Sequence, residues 1–314
     1  MKKRKVRKKV IIGFIVFVLA VIIAVVSFNL YTYYNSDEYK LGEIGYSEKE
    51  VNTILKLDRK YINYALKNKY DKYLIPLTNQ KYMIWKKYDE YVKYIKKEFK
   101  NEQVNYENVV TKVNTKTIYA PYTHTETTDM KKGNGILVNK YYGLPDKYEP
   151  NDVVPMNNWY SYPNNSIRTE VYEAFKEMSK AAKESGITLI VNSSYRNYES
   201  QKQIYDEYED KKGKEYADKY AARPNYSEHQ TGLALDIFTP GSGMTNFENT
   251  EAFKWLSENC YKYGFILRYP KDKEDITGYK YESWHYRYLG KDLAKKVYDS
   301  NITFDEYYAY YLDK

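Results

Sequence analysis

The chain has 314 residues, with 50 Lys and Arg against 42 Asp and Glu, three His, one Cys and 41 Tyr. Seven of the 50 basic residues crowd into positions 2–9, so the remainder carries 43 basic against 42 acidic side chains and has no basic surface on which to hold nucleic acid. A single cysteine excludes an internal disulfide framework, which leaves the core and any bound metal to hold the fold.

Residues 10–28 form an uninterrupted run of 19 residues without a charge, close to the length that spans a bilayer. The basic flank at 1–9 is expected to stay in the cytoplasm, which places the rest of the chain outside. No small-x-small cleavage site lies beside the run, so it reads as an uncleaved single-pass anchor rather than a signal peptide.

Residues 29–118 read as a helical spacer or small accessory region. Ser47 and Glu50 have capping-box spacing, ahead of Val51, Ile54, Leu55, Leu57 and Ile62. A second amphipathic pattern runs through Tyr82, Trp85, Tyr88, Val92, Ile95 and Phe99, with Pro76 between the two. Residues 101–130 are polar and suit extended structure or loop; His124 stands there with no motif around it.

Residues 119–314 are long enough for one domain with its own core. Ile167, Val171, Phe175, Met178 and Ala182 predict a helix before Gly186, and the apolar residues 187–191 a strand delivering Ser194, Tyr195 and Arg196. Another helix should carry Gln201 to about Ala222, broken near Gly213. Leu233, Leu235 and Ile237 alternate with Ala234 and Asp236, which predicts a half-buried strand over 232–238. Thr250 can cap and Gly264 can end a helix whose stripe Phe253, Leu256, Cys260 and Tyr263 makes the cysteine a core residue. Residues 284–289 alternate again, with His285 and Arg287 on one face, and Thr303 with Glu306 forms a second capping box. The order fits an α+β fold, with helices on one face of a small, mainly antiparallel sheet and a zinc site on the other.

The chemistry sits in Ser227-Glu228-His229-Gln230-Thr231-Gly232-Leu233-Ala234-Leu235-Asp236, answered downstream by Glu282-Ser283-Trp284-His285. Two of the three histidines, an Asp and a spare Glu are what a hydrolytic zinc site needs: three ligands, an open fourth position and a base. The HxxGxAxD spacing alone fits a structural histidine as well as a metal ligand, and it is the second cluster that favours metal. Glu282 lies three positions before His285, so a straight strand would send the two to opposite faces. A bend near Ser283 is implied if both serve one site.

These motifs together resemble the VanY-type D-alanyl-D-alanine carboxypeptidases, zinc peptidases of bacterial cell-wall peptidoglycan whose signature reads SxHxxGxAxD followed by ExWH. The resemblance extends over Leu137-Val138-Asn139-Lys140, over Ser194-Tyr195-Arg196 with Gln201, over residues 263–270 and over Thr277-Gly278-Tyr279. It implies one zinc per chain held by His229, Asp236 and His285, Glu282 as the base that takes a proton from water, and Arg196 as the oxyanion stabiliser. It further implies that Ser227, Gln201, Tyr195 and Trp284 bind substrate. The expected activity is zinc-dependent D,D-carboxypeptidase action on peptidoglycan stem peptides outside the membrane, through activated water rather than a serine nucleophile. The same ligands also serve L,D-carboxypeptidases, dipeptidases and endopeptidases, and a non-catalytic wall-binding module is the reading from a different class. An intact Glu282 and Arg196 argue against the last, since a pure binder needs no base beside its metal. Three positions depart from the family pattern: Ser194 and Asn225 stand where Gly is common, and Ser283 where Pro is frequent.

Overall fold

The computed structural model describes residues 2–100 and 102–313. It divides into two compact units, Met1–Met83 and Ile84–Lys314.

The first unit opens with α1 (Lys2–Asn35), within which Arg7–Asn35 is long and apolar enough to cross a membrane and is nowhere buried by protein. A helix apolar all round suits lipid rather than a one-sided core. After it come α2 (Asp37–Ile44), α3 (Glu48–Ile54), α4 (Arg59–Lys67) and α5 (Leu74–Thr78), which bury Leu41, Val51, Ile54, Ile62, Ala65, Leu74 and Leu77. The capping box of Ser47 and Glu50 forms at the start of α3. Pro76 falls in the first turn of α5, where its missing N–H costs nothing.

The second unit begins at Ile84, well before the boundary at 118/119 that the sequence suggests. The reason is packing. Helices α6 (Tyr88–Glu98) and α7 (Tyr106–Asn114) are joined by the Tyr91 hydroxyl, which donates to Asn114 Oδ1 at 2.6 Å. Thr111 shares a hydrogen bond of 3.0 Å with Tyr310 at the far end of the chain. Helix α7 also corrects the expectation of loop over 101–130. Asn105 caps it, and Val109, Val110 and Val113 line one buried face despite the polar composition around them.

Two short strand pairs follow, β1 (Glu126–Thr127) with β2 (Tyr142–Gly143) and β3 (Val153–Pro155) with β4 (Ser166–Arg168). Ile167 therefore belongs to β4, and the expected helix, α8 (Thr169–Glu184), starts two residues later. The central sheet comprises β5 (Ile190–Ser193), β6 (Ala234–Phe238), β7 (Phe265–Tyr269) and β8 (Glu282–Tyr288), antiparallel throughout in the order β5-β6-β8-β7. Between β5 and β6 lie α9 (Tyr198–Lys212) and α10 (Lys214–Tyr220), broken at Gly213 as the sequence implies. The remaining helices are α11 (Glu251–Asn259), capped by Thr250, α12 (Glu274–Thr277), α13 (Lys291–Ser300) and α14 (Phe304–Tyr307), which carries the Thr303 and Glu306 capping box.

One face of the sheet presents Val191, Leu235, Ile237, Phe265 and Tyr286 to Val171, Phe175 and Met178 of α8 and Leu256 of α11; Cys260 is buried among them. Each such side chain contributes about 1.5–3 kcal/mol by leaving water. On the opposite face Ile266 packs with Ala294, Val297 and Phe304, and the rest of that face surrounds Asp236 and His285. Strand β6 is consequently buried on both faces rather than half-buried, because its polar side is roofed by the site.

Candidate active site

Asp236 projects from β6, and its cross-strand neighbours are Ser193 on β5 and His285 on β8. Directly opposed residues share a face with Cβ atoms about 5 Å apart, so Asp236 and His285 are brought together by register alone. His229 arrives from the short turn Glu228–Thr231. Gly232 ends that turn at φ 65°, where an added Cβ would lie 2.7 Å from Arg168 Cγ, so the sharp entry into β6 requires glycine.

Asp236 Oδ1 lies 3.4 Å from His229 Nε2 and 3.3 Å from His285 Nδ1, and the three donor atoms all fall within 4.8 Å of one another. A zinc ion with bonds of about 2.0–2.2 Å in tetrahedral geometry holds its ligands about 3.3–3.6 Å apart. Asp236 Oδ1 is buried and lacks a hydrogen-bond partner among the described residues. An orphaned carboxylate oxygen between two imidazole nitrogens fits a cation at their centre. The tautomers agree. His229 Nδ1 donates to the Ser194 carbonyl at 2.7 Å, leaving Nε2 for the centre, and His285 Nε2 faces Glu228 Oε2 at 3.3 Å, leaving Nδ1.

The titration behaviour has the same origin. Burial, with Arg196 nearby, lowers His229 to about 4 and keeps it neutral. Burial also opposes charge on His285, but Asp236 and Glu228 overcome it and raise the ring to about 9. Burial likewise works against the Asp236 carboxylate, and the two imidazoles hold it ionised well below the ordinary range. Glu282 is pushed up to about 7, chiefly by burial.

Glu282 Oε2 lies 3.6 Å from His285 Nδ1 although the two are three residues apart. The expected bend is a bulge. Leu267 pairs with Tyr286 and Tyr269 with Glu282, so Ser283, Trp284 and His285 stand opposite Arg268 alone. Of the departures from the family pattern, Ser283 is buried within this bulge, Asn225 adopts φ 68°, and the Ser194 hydroxyl donates to Asn165 Oδ1 at 2.6 Å.

Arg196 is held over the site by Nε to Gln201 Oε1 at 3.1 Å and by Nη1 to Ser193 Oγ at 2.8 Å. The Gln201 amide nitrogen donates to the Ala222 carbonyl at 2.7 Å, so its amide orients Arg196 from a buried position. Ser227 and Trp284 line the same pocket of about 180 Å³, the Trp284 ring stacked 6.4 Å from Phe238. Tyr195 does not line it. Its N–H pairs with the Ser166 carbonyl, and the residue lines an adjoining trough of about 440 Å³ with Asn164, Asn192 and Asn197. Arg196 borders both cavities. His124 is exposed and stacked on Tyr119 at 3.8 Å, outside the site.

Several wall residues are given no role by the sequence, although Tyr269 and Tyr279 fall in segments that share the family resemblance. Tyr269 lies 4.9 Å from the His285 ring and 4.8 Å from Tyr279, and Tyr208, Tyr220 and Met244 complete the pocket lining. Glu228 is a further omission, a fully buried carboxylate beneath His285 that pairs with Arg268 and Arg287.

A family profile described as VanY, D-alanyl-D-alanine carboxypeptidase, matches residues 164–291. The chain is 45% identical over 201 residues to YodJ of Bacillus subtilis (strain 168), covering 57% of this chain and 72% of that protein. It is 37% identical over 191 residues to a D-alanyl-D-alanine carboxypeptidase of Enterococcus faecalis, covering 58% of this chain and 68% of the relative. Among solved structures, the LdcB LD-carboxypeptidase superposes with a TM-score of 0.57 at 44% identity, over 60% of this chain and 91% of that one. The segments matched carry the His229, Asp236 and His285 triangle, and the chain belongs to the VanY family of D-alanyl-D-alanine carboxypeptidases, enzymes of the zinc carboxypeptidase type.

Proposed function

We propose that this chain removes the C-terminal D-alanine from peptidoglycan stem peptides on the outer side of the membrane, with residues 10–28 as an uncleaved anchor and residues 29–83 as a spacer. The observation that carries the reading is the convergence of three candidate metal donors, a partly buried Glu282 and a tethered Arg196 on one pocket of about 180 Å³. That volume is below the range of drug-sized sites and suits one small terminal residue.

One zinc ion held by His229, Asp236 and His285 would supply Lewis-acid polarisation and an acidified water. Glu282 takes the proton of the attacking water and passes it to the departing amine of D-alanine. Arg196, fixed by Gln201 and Ser193, faces the carbonyl oxygen as negative charge develops there, and its forked donors match that oxygen better than a mobile lysine would. Ser227 and Trp284 contact the leaving D-residue. The trough beyond Arg196, which includes Tyr195, takes the acyl side of the peptide, and this supports a substrate longer than a dipeptide.

Two bonds remain as candidates, the D,D bond of a pentapeptide and the L,D bond of a tetrapeptide. The likeness to the Enterococcus faecalis enzyme supports the first, and the higher identity to LdcB over nearly all of that chain supports the second, which we favour. Incubation of residues 29–314 with purified pentapeptide and tetrapeptide muropeptides, followed by mass analysis, tests this. Loss of one alanine from the tetrapeptide is expected; cleavage of the pentapeptide alone restores the D,D assignment, and cleavage of neither rejects the carboxypeptidase reading.

A further inference from the structure

Glu228 lies beneath His285 and outside the group of three candidate ligands. Its side chain is fully buried, and Oε1 accepts from Arg268 Nε at 2.8 Å and from Arg287 Nη1 at 2.7 Å. That leaves Oε2 for His285 Nε2 at 3.3 Å. Both guanidinium groups are themselves pinned. Arg287 donates its other nitrogens to the carbonyls of Asn134, Ile136 and Tyr288 at 2.8–3.1 Å. Arg268 is paired with Asp305, which also accepts from Asn139 Nδ2 at 2.8 Å and sits in the capped first turn of α14.

The four charges balance, two guanidinium groups against two carboxylates, and all four side chains are at most 1% exposed. Such a cluster is not a cheap source of stability, since buried ion pairs are often replaceable by apolar side chains without loss. Its geometry indicates another use. A carboxylate on the far nitrogen of a ligating imidazole fixes the tautomer and strengthens the donor. Gln201 does the corresponding task for Arg196, and a backbone carbonyl does it for His229. For His285 the task falls to Glu228.

We infer that Glu228 is a positioning residue for the metal: its carboxylate, held by Arg268 and Arg287, fixes His285 as an Nδ1 donor and so sets how tightly the site binds zinc. Asp305 belongs to the same network at one remove, bonded to Arg268 but not to either histidine. The inference rests on the metal-site reading above and is separable from it.

The test compares Glu228→Gln with Asp305→Asn in the full chain, purified in detergent. Each removes one negative charge from the same buried cluster, and both are expected to lower the thermal midpoint. Zinc affinity, measured by chelator competition, should weaken about 10–100-fold in Glu228→Gln and stay within about threefold of wild type in Asp305→Asn. With cobalt in place of zinc, the visible absorption band should shift in the first variant only. Equal affinities in Glu228→Gln and wild type, or equal losses in both variants, overturn the inference. Should Glu228→Gln not fold, the charge-balanced Glu228→Gln/Arg287→Gln protein carries the same comparison with the same two outcomes. A wild type that binds no zinc would instead overturn the metal-site reading itself.

Discussion

The floor of the pocket is dry, charged and cross-linked, whereas its rim is aromatic and open to water: Glu228 and His285 are 2% and 4% exposed, against 38% and 41% for Tyr208 and Tyr220. On the floor Glu228, His229 and His285 have named partners, and Asp236 Oδ1, buried without a hydrogen bond among the described residues, faces the two imidazoles of the candidate metal site. On the rim the tyrosines hold one another, Tyr216 stacked on Tyr220 at 4.3 Å and on Tyr208 at 6.0 Å. A displacement of a fraction of an ångström on the floor alters a bond to the reacting atoms, whereas the same displacement on the rim alters only surface contact with substrate. The floor should therefore govern kcat and the rim KM.

The severest test of that division is Glu282→Gln. It keeps the side chain's size but cannot accept the water's proton, so kcat should fall about 10²–10⁴-fold with zinc content unchanged. Near-normal turnover by a fully loaded variant would place the base elsewhere. Arg196→Lys comes next. A lysine cannot hold Gln201, Ser193 and the developing oxyanion together, and a loss of about 10²-fold in kcat with little change in KM is expected from steady-state kinetics. A rise in KM alone would assign Arg196 to ground-state binding.

At the rim the sign of the split should invert. Tyr208→Ala and Tyr220→Ala should raise KM by about 3–10-fold, the scale of losing one aromatic contact, and leave kcat within about twofold. A large loss of kcat in either would dissolve the distinction between the two regions.

The smallest effect concerns the wall between them. Lys140 donates to the Gly278 carbonyl at 2.5 Å with its ammonium 4.6 Å from the Tyr279 ring, and burial lowers it to about 8. In the unfolded chain a lysine titrates near 10.4, so between about pH 8 and 10.4 the unfolded state binds more protons and this residue's contribution to stability rises with pH. Relative to Lys140→Met, the wild type should gain stability between pH 7 and 9.5 in thermal unfolding; a constant gap would mean that the ammonium stays charged in the folded protein.

The same two regions differ in how far a sequence reveals them. His229, Asp236 and His285 are legible as a candidate metal site because a metal draws on particular side chains, and alternation along β6 and β8 places Asp236 and His285 on one face. Glu282 is legible only together with a bend, and the bulge opposite Arg268 supplies it. The buried charges beneath were not legible. Glu228 finds its partners 40, 57 and 59 residues away, at separations that no local period encodes. Tyr208 and Tyr220 are hidden by abundance, since 41 tyrosines give no reason to select two. Helix α7 was missed because Thr and Asn dominate residues 101–130, and three valines with an Asn cap outweigh that composition once they have a core to face. Tyr195 adjoins Arg196 in the chain but lines the neighbouring trough and not the pocket, a placement that adjacency in sequence does not reveal.

The metal decides between a working and a merely structural site. Protein containing residues 29–314, purified without added metal and dialysed, should carry about one zinc per chain by atomic emission, and the His229→Ala/His285→Ala variant, shown to be folded by circular dichroism, should carry close to none. Undiminished zinc in the folded double variant would contradict the assignment of this centre and the chemistry built on it.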